Sequence, residues 1–229
     1  MLAIIPARKG SKGLKNKSFR KVGNKSLIEN TFYEAKKSKK ISKIIVTSND
    51  RRVLDQAKKY NVDFLIKRKK KLCLNSTLSD EYLLDVCNFI KKKKLNFKDM
   101  ILLQPTSPLR TSKDIDRAII FYKNNNLKNL ISVTRPLQEP SEMIYQKNKK
   151  INFIFKKKKN KRNKSNLRQS YFKTYFIDGS IYIINLKLFE KTKKLIQKKA
   201  NLFELDKLKG IDINDRSDLK LANALHKFR

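Results

Sequence analysis

What most limits the fold of this chain is a rhythm: short, continuous apolar runs separated by segments of helical period. Leu2–Pro6, Lys43–Thr47, Val62–Ile66, Asp99–Leu103 and Asn129–Thr134 read as strands; Leu27–Lys37, Arg51–Tyr60, Ser79–Lys93 and Ser112–Asn124 read as the helices between them. Apolar runs without polar alternation suit strands buried on both faces, and helices of this length serve as crossovers between parallel neighbours. The pattern therefore predicts an α/β fold, a mostly parallel sheet with helices on both faces. Sheets of this kind bind ligands in the crevice at the carboxyl ends of their strands. That directs attention to the loops 7–18, 48–50 and 104–110. Ser79-Asp80-Glu81 predicts an acidic, capped helix start. From Pro136 to Tyr175 the rhythm breaks into a polar, lysine-rich stretch with two β-like pieces (MIYQ and INFIF). This stretch reads as an inserted hairpin or arm, or as a loop. Asp178–Ile184 is then a strand, Leu186–Lys194 a helix and Ser217–Phe228 a C-terminal helix, with no internal repeat and no second domain.

Composition excludes several chemistries. The single histidine, His226, lies in the C-terminal helical pattern, and the two cysteines are Cys73 and Cys87. Ser/His/Asp and Cys/His catalysis are thereby set aside, as is a disulfide framework or cysteine-based metal site. The formal net charge of +37, from 57 Lys and Arg against 20 Asp and Glu, invites a nucleic-acid reading. The excess is spread along the chain, however, and is mostly lysine, with few aromatics inside the runs Lys67–Lys71, Lys91–Lys94 and Lys156–Lys164. Solvated lysine, not a specific nucleic-acid surface, is the expectation. No apolar run reaches the length of a membrane span. The N-terminus is apolar and then basic, the reverse of a secretory signal, so a cytoplasmic chain with no membrane partner is expected.

The segment after the first strand carries the most chemistry: Pro6-Ala7-Arg8-Lys9-Gly10-Ser11-Lys12-Gly13-Leu14-Lys15-Asn16-Lys17. Its glycines let the backbone approach a ligand and present N–H donors, and Arg8, Lys12 and Lys17 surround them with positive charge. It is not a Walker A loop, because Ser11 and Asn16 stand where that motif has glycine. The loop is expected to hold the phosphates of a nucleoside triphosphate.

These residues resemble the signature loop of the sugar-activating cytidylyltransferases, especially the acylneuraminate (CMP-sialic acid) synthetases. Leu102-Leu103-Gln104-Pro105-Thr106-Ser107-Pro108-Leu109-Arg110 matches that family's LLQPTSPLR motif, Asp178-Gly179-Ser180-Ile181-Tyr182 resembles its Gly-(Ala/Ser)-Ile-Tyr strand, and Gly210-Ile211-Asp212-Ile213 its late Asp-Ile-Asp segment. The resemblance spans nearly the whole chain in order. It implies a single Rossmann-like nucleotide-diphospho-sugar transferase domain over residues 1–229, with residues 136–175 an inserted dimerisation arm and the chain a homodimer. It also implies CTP as donor, Mg²⁺ as cofactor, and a 2-keto sugar acid whose anomeric hydroxyl attacks the α-phosphorus as pyrophosphate leaves. Activation of a nonulosonic acid is the leading reading. CMP-Kdo synthesis or another sugar nucleotidyl transfer is the alternative, and a non-catalytic basic RNA-binding protein the reading from a different class.

Residue by residue, the resemblance implies Ala7, Arg8, Gly10, Ser11, Lys12, Lys17, Ser18, Arg68 and Asn75 as nucleotide contacts. Gln104, Thr106, Ser107, Arg168, Gln169 and Tyr182 become sugar-acid contacts, Arg168 for the carboxylate. Asp212, with Asn214 and Asp215, becomes the metal set, and Arg8, Lys17 and Asp212 the catalytic group. Tyr182 reads equally well as core, Arg110 as a surface residue of a stiff turn, and Asp215 as the cap of the last helix. The chain departs from the family pattern at Ser18, where asparagine is usual, at Asn49, where an acid is displaced to Asp50, and at Asn214, where a second aspartate is usual. Gln138-Glu139-Pro140-Ser141-Glu142 stands where sialic-acid enzymes of the family often carry a basic residue near a His-Pro step, which by the resemblance favours a legionaminic or pseudaminic type of acceptor.

Overall fold

The computed structural model describes residues 1–10, 13–74, 76–138, 143–154 and 173–228. In chain order the elements are β1 (Leu2–Ala7), a small hairpin β2 (Lys21–Val22) and β3 (Lys25–Ser26), α1 (Leu27–Lys37), β4 (Lys43–Ser48), α2 (Arg51–Lys59), β5 (Phe64–Lys67), α3 (Ser79–Lys92), β6 (Asp99–Leu102), α4 (Ser112–Asn124) and β7 (Asn129–Thr134). A second hairpin follows, β8 (Ile144–Lys147) and β9 (Lys150–Phe153), and then β10 (Phe176–Asn185), α5 (Leu186–Thr192), β11 (Asn201–Glu204) and α6 (Arg216–His226).

One seven-stranded sheet runs in the order β11-β7-β10-β6-β1-β4-β5. β1 pairs in parallel with β4 and β6, β4 with β5 and β7 with β11, while β10 is antiparallel to both β6 and β7. The mostly parallel α/β fold expected from the apolar runs is what forms. β11 escaped the sequence reading because Asn201–Glu204 buries only Phe203 and carries no apolar run.

The apolar strands are buried on both faces because each face meets helices. Ala3, Ile5, Ile44, Val46 and Ile101 pack with Ile28, Phe32, Val53, Ile115 and Ile119 of α1, α2 and α4. Leu2, Ile4, Ile45, Met100 and Leu102 face the other way, onto Leu83, Val86 and Ile90 of α3 and Phe189 of α5. Alternate residues of one strand thus feed two cores, as the pleat requires. A third, smaller cluster sits at the sheet end, where Leu14, Val22, Leu27, Leu109, Ile211 and Ile213 pack with Ala222 of α6.

Helix starts carry their own signals. Ser26 and Glu29 form a reciprocal capping box on α1, as do Thr111 and Asp114 on α4 and Asp215 and Asp218 on α6. In α3 the cap position is Leu78, not Ser79 as expected, and the Glu81 carboxylate accepts the Leu78 N–H at 2.8 Å. The acid does the capping there, so the residue before it needs no side-chain oxygen.

β1 is the point where the strand order turns back: β4 and β5 extend to one side of it and β6 lies on the other. The loops leaving β1 and β6 therefore diverge and leave a crevice between them.

Candidate active site

A cavity of about 480 Å³ occupies that crevice. Pro6, Ala7 and Arg8 at the end of β1, Gly13, Lys17 and Ser18 of the following loop, and Gln104-Pro105-Thr106 after β6 all line it, with Arg68, Tyr82 and Asn214 closing the sides. Segments more than 200 residues apart thus meet at one place.

Lys17 opens a short 3-10 turn, Lys17–Phe19, and its Nζ donates to the Ile213 carbonyl at 2.6 Å and to Asn214 Oδ1 at 3.3 Å. Burial lowers its pKa; the nearby Asp212 carboxylate works against that and Arg8 adds to it. A half-buried ammonium beside an arginine is a centre that favours an incoming anion. Arg68 is buried, donates to the Thr47 carbonyl at 3.0 Å and to Thr47 Oγ1 at 3.3 Å, and stacks 4.2 Å from the centroid of the Tyr82 ring. Burial lowers its pKa as well. The wall is therefore cationic from two independent strands.

Opposite, β10 carries an irregularity between Ile177 and Tyr182, and Gly179 in it takes a left-handed conformation with φ +73°. Bulges of this kind re-aim side chains next to active sites. A Cβ at Gly179 would sit 3.2 Å from Gln104 Oε1 and 3.9 Å from both Asp212 Oδ1 and Ser107 Oγ. The bulge thus brings those three groups together. Ser107 Oγ and Asp212 Oδ1 are buried and have no hydrogen-bond partner among the described residues. Such orphaned polar atoms mark places where a ligand or ion completes the bonding. Asp212 Oδ2 accepts from Asn214 Nδ2 at 3.0 Å, so residues two apart on this extended segment do face the same way. A second cavity of about 350 Å³ lies beyond, lined by Thr134, Leu137, Gln138, Met143, Ile211 and Asp212, and Asn214 borders both cavities.

Of the residues singled out from sequence, Ala7, Arg8, Lys17, Ser18, Arg68, Gln104, Thr106 and Asn214 line the first cavity. Gly10 lies at its margin in a small depression with Arg8, Lys17 and Ser18. Ser11, Lys12, Asn75, Arg168 and Gln169 lie outside the described residues. Tyr182 is 7% exposed and packs in the sheet core, where burial raises its pKa. Asp215 serves as the α6 cap, its Oδ1 accepting from Ser217 N at 2.7 Å and Asp218 N at 3.0 Å. The capping alternative is thus the role the structure gives this acid. Asn49 Oδ1 accepts the Lys9 N–H at 2.8 Å, and Asp50 caps α2. Among the described residues no group of three or more His, Cys, Asp or Glu side chains is placed to hold a metal by itself.

Arg110 is a correction. The surface alternative fails: its side chain is 1% exposed, and Nη1 donates to the Ser180 carbonyl at 2.7 Å and the Gln104 carbonyl at 3.1 Å. A planar guanidinium with several N–H donors suits holding two buried carbonyls at once. Arg110 thereby ties the β6 loop to the β10 bulge. Tyr82, Thr77 and Leu72 were missed as cavity residues; on α3 and its approach they carry no loop or charge signal that separates them from core. His226 packs on Gly23 away from the cavity, and Cys87 is buried with its thiol pushed up to about 12 by desolvation. Neither adds to the chemistry. No helix among the described residues is long and apolar enough to cross a membrane.

Comparison with known proteins agrees with this geometry. The family model described as cytidylyltransferase matches residues 2–226. The N-acylneuraminate cytidylyltransferase of Escherichia coli O18:K1:H7 is 31% identical over 224 residues, covering 97% of this chain and 51% of that protein. This chain therefore spans about half the length of that relative. It spans 94% of the CMP-N,N'-diacetyllegionaminic acid synthase of Campylobacter jejuni, at 28% identity over 228 residues and 98% of this chain. Among solved structures, a CMP:2-keto-3-deoxy-manno-octonic acid synthetase complexed with CTP superposes with a TM-score of 0.69 at 15% identity, covering 99% of this chain and 98% of that one. That similarity concerns the fold. With a nearly full-length family match and a cationic crevice at the switch point of the sheet, the chain belongs to the cytidylyltransferase family.

Proposed function

We propose that this chain transfers the cytidylyl group of CTP to the anomeric hydroxyl of a nonulosonic sugar acid, releasing pyrophosphate. The observation that carries the reading is the convergence of Arg8, Lys17 and Arg68 with Gln104–Thr106 on one cavity, with Asp212 at its edge. Transfer at phosphorus asks for positioning and charge neutralisation more than for a covalent nucleophile. In this reading Arg8 and Lys17 neutralise the triphosphate, with Ser11 and Lys12 supporting them by the family resemblance. Arg68 and Asn75 hold the nucleoside side. Gln104, able both to donate and to accept, reads hydroxyl or N-acyl groups of the acceptor. Ser107, Arg168 and Gln169 complete the acceptor side, Arg168 on the carboxylate.

The donor set at Asp212 fits Mg²⁺ shared with substrate: one hard carboxylate with an orphaned buried oxygen, and Asn214 beside it. Magnesium is commonly held by one or two carboxylates, water and substrate phosphates. Bound there, it supplies charge neutralisation at the phosphates. Asp212 would hold it, and Asn214 would orient Asp212 through the Nδ2–Oδ2 bond. The acceptor occupies the side of Asp212 that faces the second cavity, where Gln138 stands. Gln138 on that lining, together with the legionaminic-acid relative, supports a di-N-acylated nonulosonic acid over sialic acid itself. The unpaired Cys73 and Cys87 suit a reducing cytoplasm.

We further propose a homodimer built on the arm 136–175. Hairpin β8–β9 leaves Ile144, Tyr145, Ile151 and Phe153 at least half exposed. An isolated two-stranded hairpin with an apolar face needs covering to be stable, and a second copy supplies it. Mass measurement by light scattering, repeated on Phe153→Asp, tests this: the variant runs as monomer, and a monomeric wild type refutes it.

Pyrophosphate release from CTP and Mg²⁺ with a panel of sialic, legionaminic, pseudaminic and eight-carbon Kdo-type acids tests the main reading. Release is expected with a legionaminic or pseudaminic acid, and Asp212→Asn loses it. No release with any acceptor, alongside tight RNA binding, would overturn the reading.

A further inference from the structure

Among the described residues, the loop that carries Arg8 and Lys17 has no sheet partner, and between β1 and β2 its only regular element is the turn Lys17–Phe19. Something else must fix a segment this charged, and the junction of β4 with α2 does so at both ends. At the front, Asn49 Oδ1 accepts the Lys9 N–H at 2.8 Å. At the back, Arg52 is held in a fork on Asp50, Nε to Oδ1 at 3.1 Å and Nη2 to Oδ2 at 2.7 Å. The fork keeps the Asp50 carboxyl below the usual carboxylate range. From there Arg52 Nη2 donates to Asn16 Oδ1 at 3.1 Å, and the guanidinium lies 4.6 Å from the centroid of the Phe19 ring. Asn16 has a left-handed backbone, φ 55° and ψ 38°, and caps the turn that begins with Lys17. One planar group thus fixes the residue before Lys17 and the residue two after it. Forking and stacking at once is within the reach of arginine and not of lysine.

We propose that Arg52, together with Asn49, is a positioning residue for nucleotide binding: it clamps the phosphate loop so that Lys17 faces the triphosphate. This rests on the CTP reading above. Arg51, next in the chain, is the control, because its side chain is 93% exposed and reaches only toward Asp55, at 3.7 Å.

The experiment compares Arg52→Gln, Arg52→Lys and Arg51→Gln by steady-state pyrophosphate release, thermal melting, and hydrogen exchange of residues 13–19. For Arg52→Gln the KM for CTP rises about tenfold, as for the loss of one charge-assisted hydrogen bond, while the KM for the sugar acid stays within about twofold by the same reasoning on localised contacts. Amides 13–19 exchange faster, Arg52→Lys does not rescue either change, and Arg51→Gln behaves as wild type. Unchanged CTP KM and unchanged exchange in Arg52→Gln overturn the proposal, as does an equal effect of Arg51→Gln. If the wild type releases no pyrophosphate, the CTP reading fails, and the exchange comparison still decides whether Arg52 clamps the loop.

Discussion

Gly13 sits where the loop after β1 crosses the segment that carries Asp212, and Gly13→Ala measures how much that crossing matters. A Cβ built there would lie 2.5 Å from the Asn214 carbonyl oxygen and 3.5 Å from its carbon. Ordinary non-bonded contacts lie at about 3.5 Å, so roughly 1 Å of separation must be found. The Asn214 segment cannot easily retreat: Ile213 N is bonded to the Thr106 carbonyl at 2.8 Å and Asn214 N to Asp218 Oδ2 at 2.7 Å. The loop is anchored by Leu14, which is 3% exposed in the third core cluster. Overpacking at such a place destabilises by about 1–3 kcal/mol. Displacing reacting groups by about 1 Å costs on the order of 100-fold in rate. Urea denaturation gives the first quantity and pyrophosphate release under saturating CTP and acceptor the second. A variant with kcat within threefold of wild type and an unchanged urea midpoint would refute the argument that loop and Asp212 segment must touch.

Arg8→Ala removes a cation from the cavity wall without emptying the core; kcat/KM should fall by about 10- to 100-fold, the range of one charge-assisted bond, with an unchanged melting temperature as the check on folding. Arg110→Met leaves the Gln104 and Ser180 carbonyls without their buried donor, and breaking a buried charged network this way destabilises by about 3–5 kcal/mol, read from urea curves. Lys209→Met takes the ammonium from Asp114, which is 2% exposed on its side chain and bonded to Lys209 Nζ at 2.8 Å. Burial raises the Asp114 pKa, but the Lys209 and Thr111 bonds outweigh it and the net shift is downward. An acid depressed in the folded state stabilises above its unfolded pKa, near 3.9, and loses that contribution as pH falls through the folded value. Wild type should therefore lose stability in acid more steeply than Lys209→Met, whose deficit of about 1–3 kcal/mol is present at neutral pH and shrinks below about pH 4; pH-dependent melting curves decide it.

The sequence by itself determined the parallel core and the place of the crevice. Uninterrupted apolar runs such as Leu2–Pro6 and Ile101–Leu103 have only one economical arrangement, a sheet covered on both sides, and the motifs that follow them then lie at strand ends. Arg8, Lys17, Gln104 and Thr106 were legible for that reason: their place depends on local order along the chain. Tertiary structure decided what depends on segments far apart. The bulge at Gly179 that gathers Gln104, Ser107 and Asp212, the burial of Arg110, the use of Asp215 as a cap, and the clamp of Arg52 on Asn16 all join residues with no shared periodicity. An arginine in a turn or an asparagine after a strand looks the same in sequence whether it faces water or a carbonyl. Only the packing of β10 and α2 against the loops fixes which one it meets, because hydrogen-bond geometry is satisfied by position in space and not by spacing along the chain.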